Sequence, residues 1–224
     1  MKNVVMKRLA LSAALASLLA GALTACVPLV IGGAVAGGTL VATDRRTSGT
    51  QLEDEGIELR ASARIRSNVG DRVHVNVTSY NRQVLLTGEV PSAQDKQMVE
   101  QIAAGVENVN SVVNELAVMG MTSLSQRSND VLVSGRIKAA LLDSPDLFLN
   151  AFKVVTERGA AYLMGRVTQR EADRATNVVR STSGVLKVVR IFEVISEDEL
   201  ARIVPAKPAP VRPAPVVAPA ANQY

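Results

Sequence analysis

The chain has 224 residues, 47% of them hydrophobic but only 3% aromatic, with no Trp, one Cys and one His. A single cysteine excludes an intramolecular disulfide, and with a single histidine it excludes the usual zinc and Cys–His constellations. The formal charge is +4. Residues 1–25 carry three of the 25 basic residues and no acid, so the remaining chain sets 22 bases against 21 acids and nothing in it calls for a nucleic-acid partner.

The N-terminus joins a basic head (Lys2, Lys7, Arg8) to an apolar run over Leu9–Ala20 and then to Gly21-Ala22-Leu23-Thr24-Ala25-Cys26. This order is that of a secretory signal. Leu23-Thr24-Ala25-Cys26 resembles the bacterial lipobox. The resemblance implies a lipoprotein signal peptide over 1–25, cleavage before Cys26, and diacylglycerol on the Cys26 sulfur, where a thiolate supplies the nucleophile. The alternative is an uncleaved membrane helix, for which the apolar stretch is short against the ~20 residues of a span. Where an Asp after the cysteine commonly retains such proteins at the inner membrane, this chain has Val27. The lipobox resemblance thus implies anchoring in the inner leaflet of the outer membrane, facing the periplasm.

Residues 27–42 are apolar but hold four glycines and a proline, which reads as a small-residue spacer, with a short membrane-associated helix as the alternative. Residues 43–56 are polar and turn-rich, so 26–56 is expected to be the lipidated Cys and a flexible tether. The segment 196–224 is expected to be a Pro/Ala-rich disordered tail.

Between them the sequence repeats itself. Val84-Leu85-Leu86-Thr87-Gly88-Glu89-Val90 matches Ala161-Tyr162-Leu163-Met164-Gly165-Arg166-Val167 at an offset of 77, and Val109-x-x-Val112-x-Asn114 matches Val185-x-x-Val188-x-Arg190 at 76. Ser92-x-x-Asp95 and Thr168-x-x-Glu171 each resemble a capping box opening a helix. The pattern predicts two units, 57–118 and 127–195, joined by a linker over 119–126. In the first, a helix is expected over 57–68, a strand carrying Val73, Val75 and Val77, a turn at Tyr80–Gln83, a return strand over 83–90, a helix over 93–104 and a strand over 111–118. The second repeats this as a helix over 129–142, a strand with Phe152 and Val154, a turn at Glu157–Ala160, a strand over 160–167, a helix over 169–181 and a strand over 187–195. Val133, Ile137, Ala140 and Leu141 fall on the core face of its first helix. The fold class is α+β, each unit αββαβ with a small three-stranded mixed sheet packed on two helices. Charge is uneven: the first unit has six bases and seven acids, the second eleven and seven. The +4 of the second suits an anionic surface, or else a solvated basic face.

A return strand ending L-x-G-x-V, a capped helix and a V-x-x-V step into a last strand resemble the BON domain. Two such domains behind a lipobox are similar to the DolP-like dual-BON lipoproteins of the bacterial outer membrane, and more distantly to OsmY-like periplasmic proteins. Asp44–Gln51, Ile102–Val106 and Asn129-Asp130 fit the same pattern. The resemblance implies a non-enzymatic protein that maintains outer-membrane integrity. It also implies that the first helix of the second domain binds anionic phospholipid, with envelope proteins at division sites as partners. Leu132, Arg136, Ala139 and Leu142 lie on a strip of that helix at spacings of four, three and three, flanked by Lys138. Apolar groups would enter the acyl boundary while Arg136 and Lys138 meet phosphate. The alternative packs Leu132 and Leu142 against the first domain or the linker. Leu132 stands where DolP-like proteins can carry a tryptophan. A second function class, a protein-interaction scaffold for envelope-assembly or cell-wall-remodelling factors, is suggested by the sheet edges and the tail.

His74, in an alternating strand, reads as a surface or edge residue rather than a base or metal ligand. Asp143 and Asp146 flank a proline in a turn, and Gly32-Gly33 and Gly37-Gly38 lack the setting of a phosphate-binding loop. No catalytic residue, metal site, cofactor or small-molecule substrate is expected.

Overall fold

The computed structural model describes residues 44–203. Cys26, the signal peptide, the spacer and the tail beyond 203 lie outside the described residues. Helix α1 (Ser48–Val69) begins at an N-cap, Thr47, whose side chain accepts from the Thr50 amide, and ends at Gly70 with φ +70°. It starts nine residues before the expected position, so 48–56 is helix rather than tether. The apolar pattern conceals these roughly two and a half turns because Asp54, a carboxylate, holds the buried stripe one turn ahead of Ile57, Ala61, Ile65 and Val69. The second unit repeats the device. Helix α3 (Leu124–Leu142), capped by Ser123, starts five residues early, and Asp130 precedes Val133, Ile137 and Leu141 on the buried stripe. Ala140 is only half-buried.

Strands β1 (His74–Tyr80) and β2 (Gln83–Val90) are antiparallel, helix α2 (Ala93–Ala104) crosses over, and β3 (Ser111–Asn114) and β4 (Ala117–Val118) lie parallel to β2. Glu115 and Leu116 interrupt what was expected as one strand. In the second unit β5 (Lys153–Glu157), β6 (Ala160–Thr168), α4 (Gln169–Arg180) and β7 (Lys187–Ile195) give the same order, β5-β6-β7. Ser92 caps α2, and Thr168 and Glu171 complete a reciprocal capping box on α4. A further helix, α5 (Glu197–Ile203), occupies the start of the expected tail. The Arg166 guanidinium donates to Glu199 there at 2.7 Å.

The repeated glycines have a steric cause. A Cβ on Gly88, which sits at φ +115°, would lie 2.0 Å from the His74 carbonyl oxygen, and one on Gly165 would lie 2.4 Å from that of Ala151. Each return strand passes the entry to its hairpin too closely for any side chain.

Each sheet buries one face on its own helices: Val84, Leu86 and Val90 against Ile57, Ala61 and Val99, and Ala161, Leu163 and Val167 against Val133, Ile137 and Val179. The opposite faces meet each other. Tyr80 and Leu85 of the first unit form one buried cluster with Tyr162, Met164 and Ile191 of the second. This explains why β2 and β6 are buried at nearly every position rather than at alternate ones, the mark of strands covered on both sides.

Candidate functional site

Helix α3 is fixed from below. The Asp130 carboxylate accepts from the Arg158 and Gly159 amides at 2.8 and 2.9 Å, at a β5–β6 turn whose central residues both have positive φ. Asp54 does the same for Asn81 and Arg82 in the first unit, at 2.8 Å each. With Asp130, Val133, Ile137 and Leu141 inward, the opposite side of α3 is presented to solvent. Leu132 is 60% exposed and Leu142 68%, so neither is packed away against the first unit or the linker. Arg136, Lys138 and Ala139 are exposed as well. Leu132, Arg136 and Ala139 share a strip, while at about 100° per residue Leu142 falls about 80° further round, beside Val131. Arg136 makes a long hydrogen bond to the Ser183 carbonyl at 3.5 Å, and neither it nor Lys138 forms an ion pair among the described residues. The loop it touches projects Leu186, 85% exposed and pinned by its amide to the Gly159 carbonyl at 2.8 Å. The face is thus a broad apolar surface carrying unneutralised cations, wider than the strip expected from helical spacing.

A second constellation lies at one end of the seam between the units. Glu89 is fully buried. It accepts from Arg158 Nη1 at 2.8 Å and from Thr122 Oγ1 at 3.3 Å, with His74 Nδ1 at 3.0 Å. Asn76 donates to Glu157 at 3.1 Å, and Glu157 lies 4.0 Å from Arg158. Burial works against the Glu89 charge, but Arg158, the Thr122 amide and His74 outweigh it and hold the carboxyl below its ordinary range. Glu157 moves the other way, raised first by burial and then by the neighbouring Glu89 charge.

At the opposite end of the seam Arg45 forks onto Glu171, with both guanidinium N–H contacts at 2.7 Å, and donates to the Arg166 carbonyl at 2.8 Å. Arg46 pairs with Asp44 and Asp54 and stacks on Tyr80 at 4.3 Å. Asp44–Arg46, expected as tether, therefore clamps the two units together. Sequence reasoning missed Arg45, Asp54, Glu89, Glu157 and Glu171 as partners. One signal was present: Glu89 and Arg166 occupy equivalent positions in the repeat with opposite charge.

The BON domain model matches residues 53–120 and 129–196, more than half the chain. The chain belongs to the BON-domain family. Its two BON domains also align with curated relatives. It is 37% identical over 173 residues to the outer membrane lipoprotein DolP of Haemophilus influenzae, covering 76% of this chain and 89% of that protein. It is 31% identical to a 21 kDa hemolysin of Actinobacillus pleuropneumoniae, covering 68% and 79%. Similarity to osmotically-inducible protein Y of Escherichia coli is 28% over 145 residues, covering 62% and 72%. Among the described residues no helix is long and apolar enough to cross a membrane.

Proposed function

We propose that this is a lipid-anchored, non-enzymatic outer-membrane lipoprotein, held by Cys26 in the inner leaflet and facing the periplasm. Its second BON domain binds anionic phospholipid through α3, and the protein thereby supports envelope integrity. The observation that carries this reading is the exposed face of α3, where Leu132, Leu142 and Ala139 lie beside Arg136 and Lys138, neither of which has a carboxylate partner among the described residues. Such a face combines apolar burial at the acyl boundary with attraction to lipid phosphate. The similarity to DolP supports the compartment. The test is liposome flotation of a non-lipidated 44–224 fragment. Binding to phosphatidylglycerol vesicles exceeding that to neutral vesicles, and lost in Leu132→Glu, is the expected result; equal binding to both, or no effect of the substitution, refutes it.

The segment joining the domains favours a second role. Val118, Met119, Met121 and Leu124 are all exposed there, which suits a protein partner among envelope-assembly or wall-remodelling factors. Crosslinking in cells that returns lipid but no reproducible protein counts against it.

A further inference from the structure

We propose that His74, Glu89 and Glu157 form a zinc site that bridges the two BON domains. One ring nitrogen of His74 and one carboxylate oxygen from each glutamate all lie within 4.8 Å of one another. The three come from β1, β2 and β5, so no single repeat contains the site and no local spacing in the sequence announces it.

The donor set is chemically apt. One imidazole nitrogen with two carboxylate oxygens suits zinc among the common ions, with a water completing four-coordination, whereas magnesium and calcium take oxygen ligands. In a tetrahedral shell, zinc bonds of about 2.0–2.2 Å place ligand atoms about 3.3–3.6 Å apart. A pair at the 4.8 Å bound therefore closes by a little over an ångström of side-chain movement. The two Glu89 oxygens already divide their work. Oε1 faces Arg158 at 2.8 Å, and Oε2 faces His74 at 3.0 Å. A metal on the Oε2 side leaves the Arg158 pair intact. Glu89, Glu157 and Asp130 against the Arg158 and Arg127 guanidinium groups leave one formal negative charge, so a divalent ion meets net attraction.

The surroundings supply the remaining parts of a metal site. Asn76 holds Glu157, and the Thr122 hydroxyl holds Glu89, as outer hydrogen bonds that orient the ligands. A surface cavity of about 240 Å³, lined by His74, Asn76, Ser134 and Glu157 together with Arg127 and Asp130, gives an ion and its water a way in. His74 itself is about one quarter exposed at its side chain (23%) and forms the rim.

The experiment is calorimetric titration of the mature full-length protein, purified in detergent and stripped with chelator, using zinc chloride and, in parallel, magnesium chloride. One zinc per chain and no saturable magnesium binding are expected. Glu157→Gln, which keeps an acceptor for Asn76, and His74→Ala on the rim should each weaken zinc at least tenfold. Asp146→Asn, an exposed acid elsewhere, should leave it unchanged. Zinc should raise the melting temperature of the unsubstituted protein but of neither site variant. Should Glu157→Gln fail to fold, His74→Ala decides alone. No saturable zinc binding, or undiminished binding in the site variants, overturns the proposal.

Discussion

Arg45→Ala puts the clamp between the domains to a quantitative test. Arg45 and Glu171 are 3% and 2% exposed, and their bidentate contact is the only ion pair Glu171 makes among the described residues. Truncating the arginine leaves a buried carboxylate whose one remaining hydrogen bond among the described residues is from the Thr168 amide. Breaking a buried pair by removing one partner costs about 3–5 kcal/mol. Urea denaturation of 44–224 at pH 7 should show a loss of that order. A fragment starting at residue 57 should lose at least as much, because it also lacks Arg46, Asp54 and the first turns of α1. The effect has a pH signature. Burial opposes the Glu171 charge, but Arg45 and the Thr168 amide outweigh it and hold the carboxyl below its ordinary value. A depressed folded-state value means stability that is present above the unfolded value of about 4.3 and disappears as pH falls through the folded one. The gap between Arg45→Ala and the unsubstituted protein should therefore narrow in acid. A loss below about 1 kcal/mol at pH 7, the range of an exposed pair, would refute the clamp. So would a gap that stays constant down to acid pH.

Two further outcomes follow from the packing. Gly165→Ala forces a Cβ against the Ala151 carbonyl, 2.4 Å away, where backbone must shift. It should cost about 1–3 kcal/mol by thermal melting, as overpacked substitutions do. Leu85→Ala opens the cluster shared with Tyr162 and Met164 and should cost about 2–5 kcal/mol. Because the seam joins both domains, it should lower the stability of the second as well, read as loss of amide protection on β6 in hydrogen exchange.

Much of this fold was legible because each repeat states its local rules twice. Matching strand motifs, matching caps and a constant offset placed β2, α2, β6, α4 and β7 within a residue or two of where they lie. The helix starts were not legible, since Asp54 and Asp130 put carboxylates on the buried stripe and so imitate the end of an apolar pattern. The seam was hidden for a related reason. Leu85, Tyr162 and Met164 read as extra strand hydrophobics, and only the meeting of two sheets gives them a partner. Buried charge was harder still. Glu89 and Glu157 are separated by 68 positions and are brought together solely by the stacking of the units. On α3 the spacing found Leu132, Arg136 and Ala139, but it could not show Leu186, which reaches the neighbourhood from the far end of α4.

The seam also changes how the lipid-binding reading works. With a 30-residue flexible tether and two independent beads, the second domain would meet a surface in any orientation, and only local concentration would favour α3. The described chain behaves differently. Asp44 is bonded to Arg46, Arg46 to Asp54 of the first domain, and Arg45 to Glu171 of the second. The first described segment, Asp44–Arg46, is thus docked on both domains at once, and their inner sheet faces are consumed by each other. What remains to meet a membrane is the helical exterior. On the second domain that exterior includes α3, whose Arg136 and Lys138 form no ion pair among the described residues, and on the proposed reading the clamp holds that face in a fixed relation to the first domain. If the proposed anchor and lipid-binding face are right, loosening the clamp by Arg45→Ala should weaken vesicle binding by the lipidated protein more than by a non-lipidated fragment, although Arg45 touches none of the residues proposed to meet lipid.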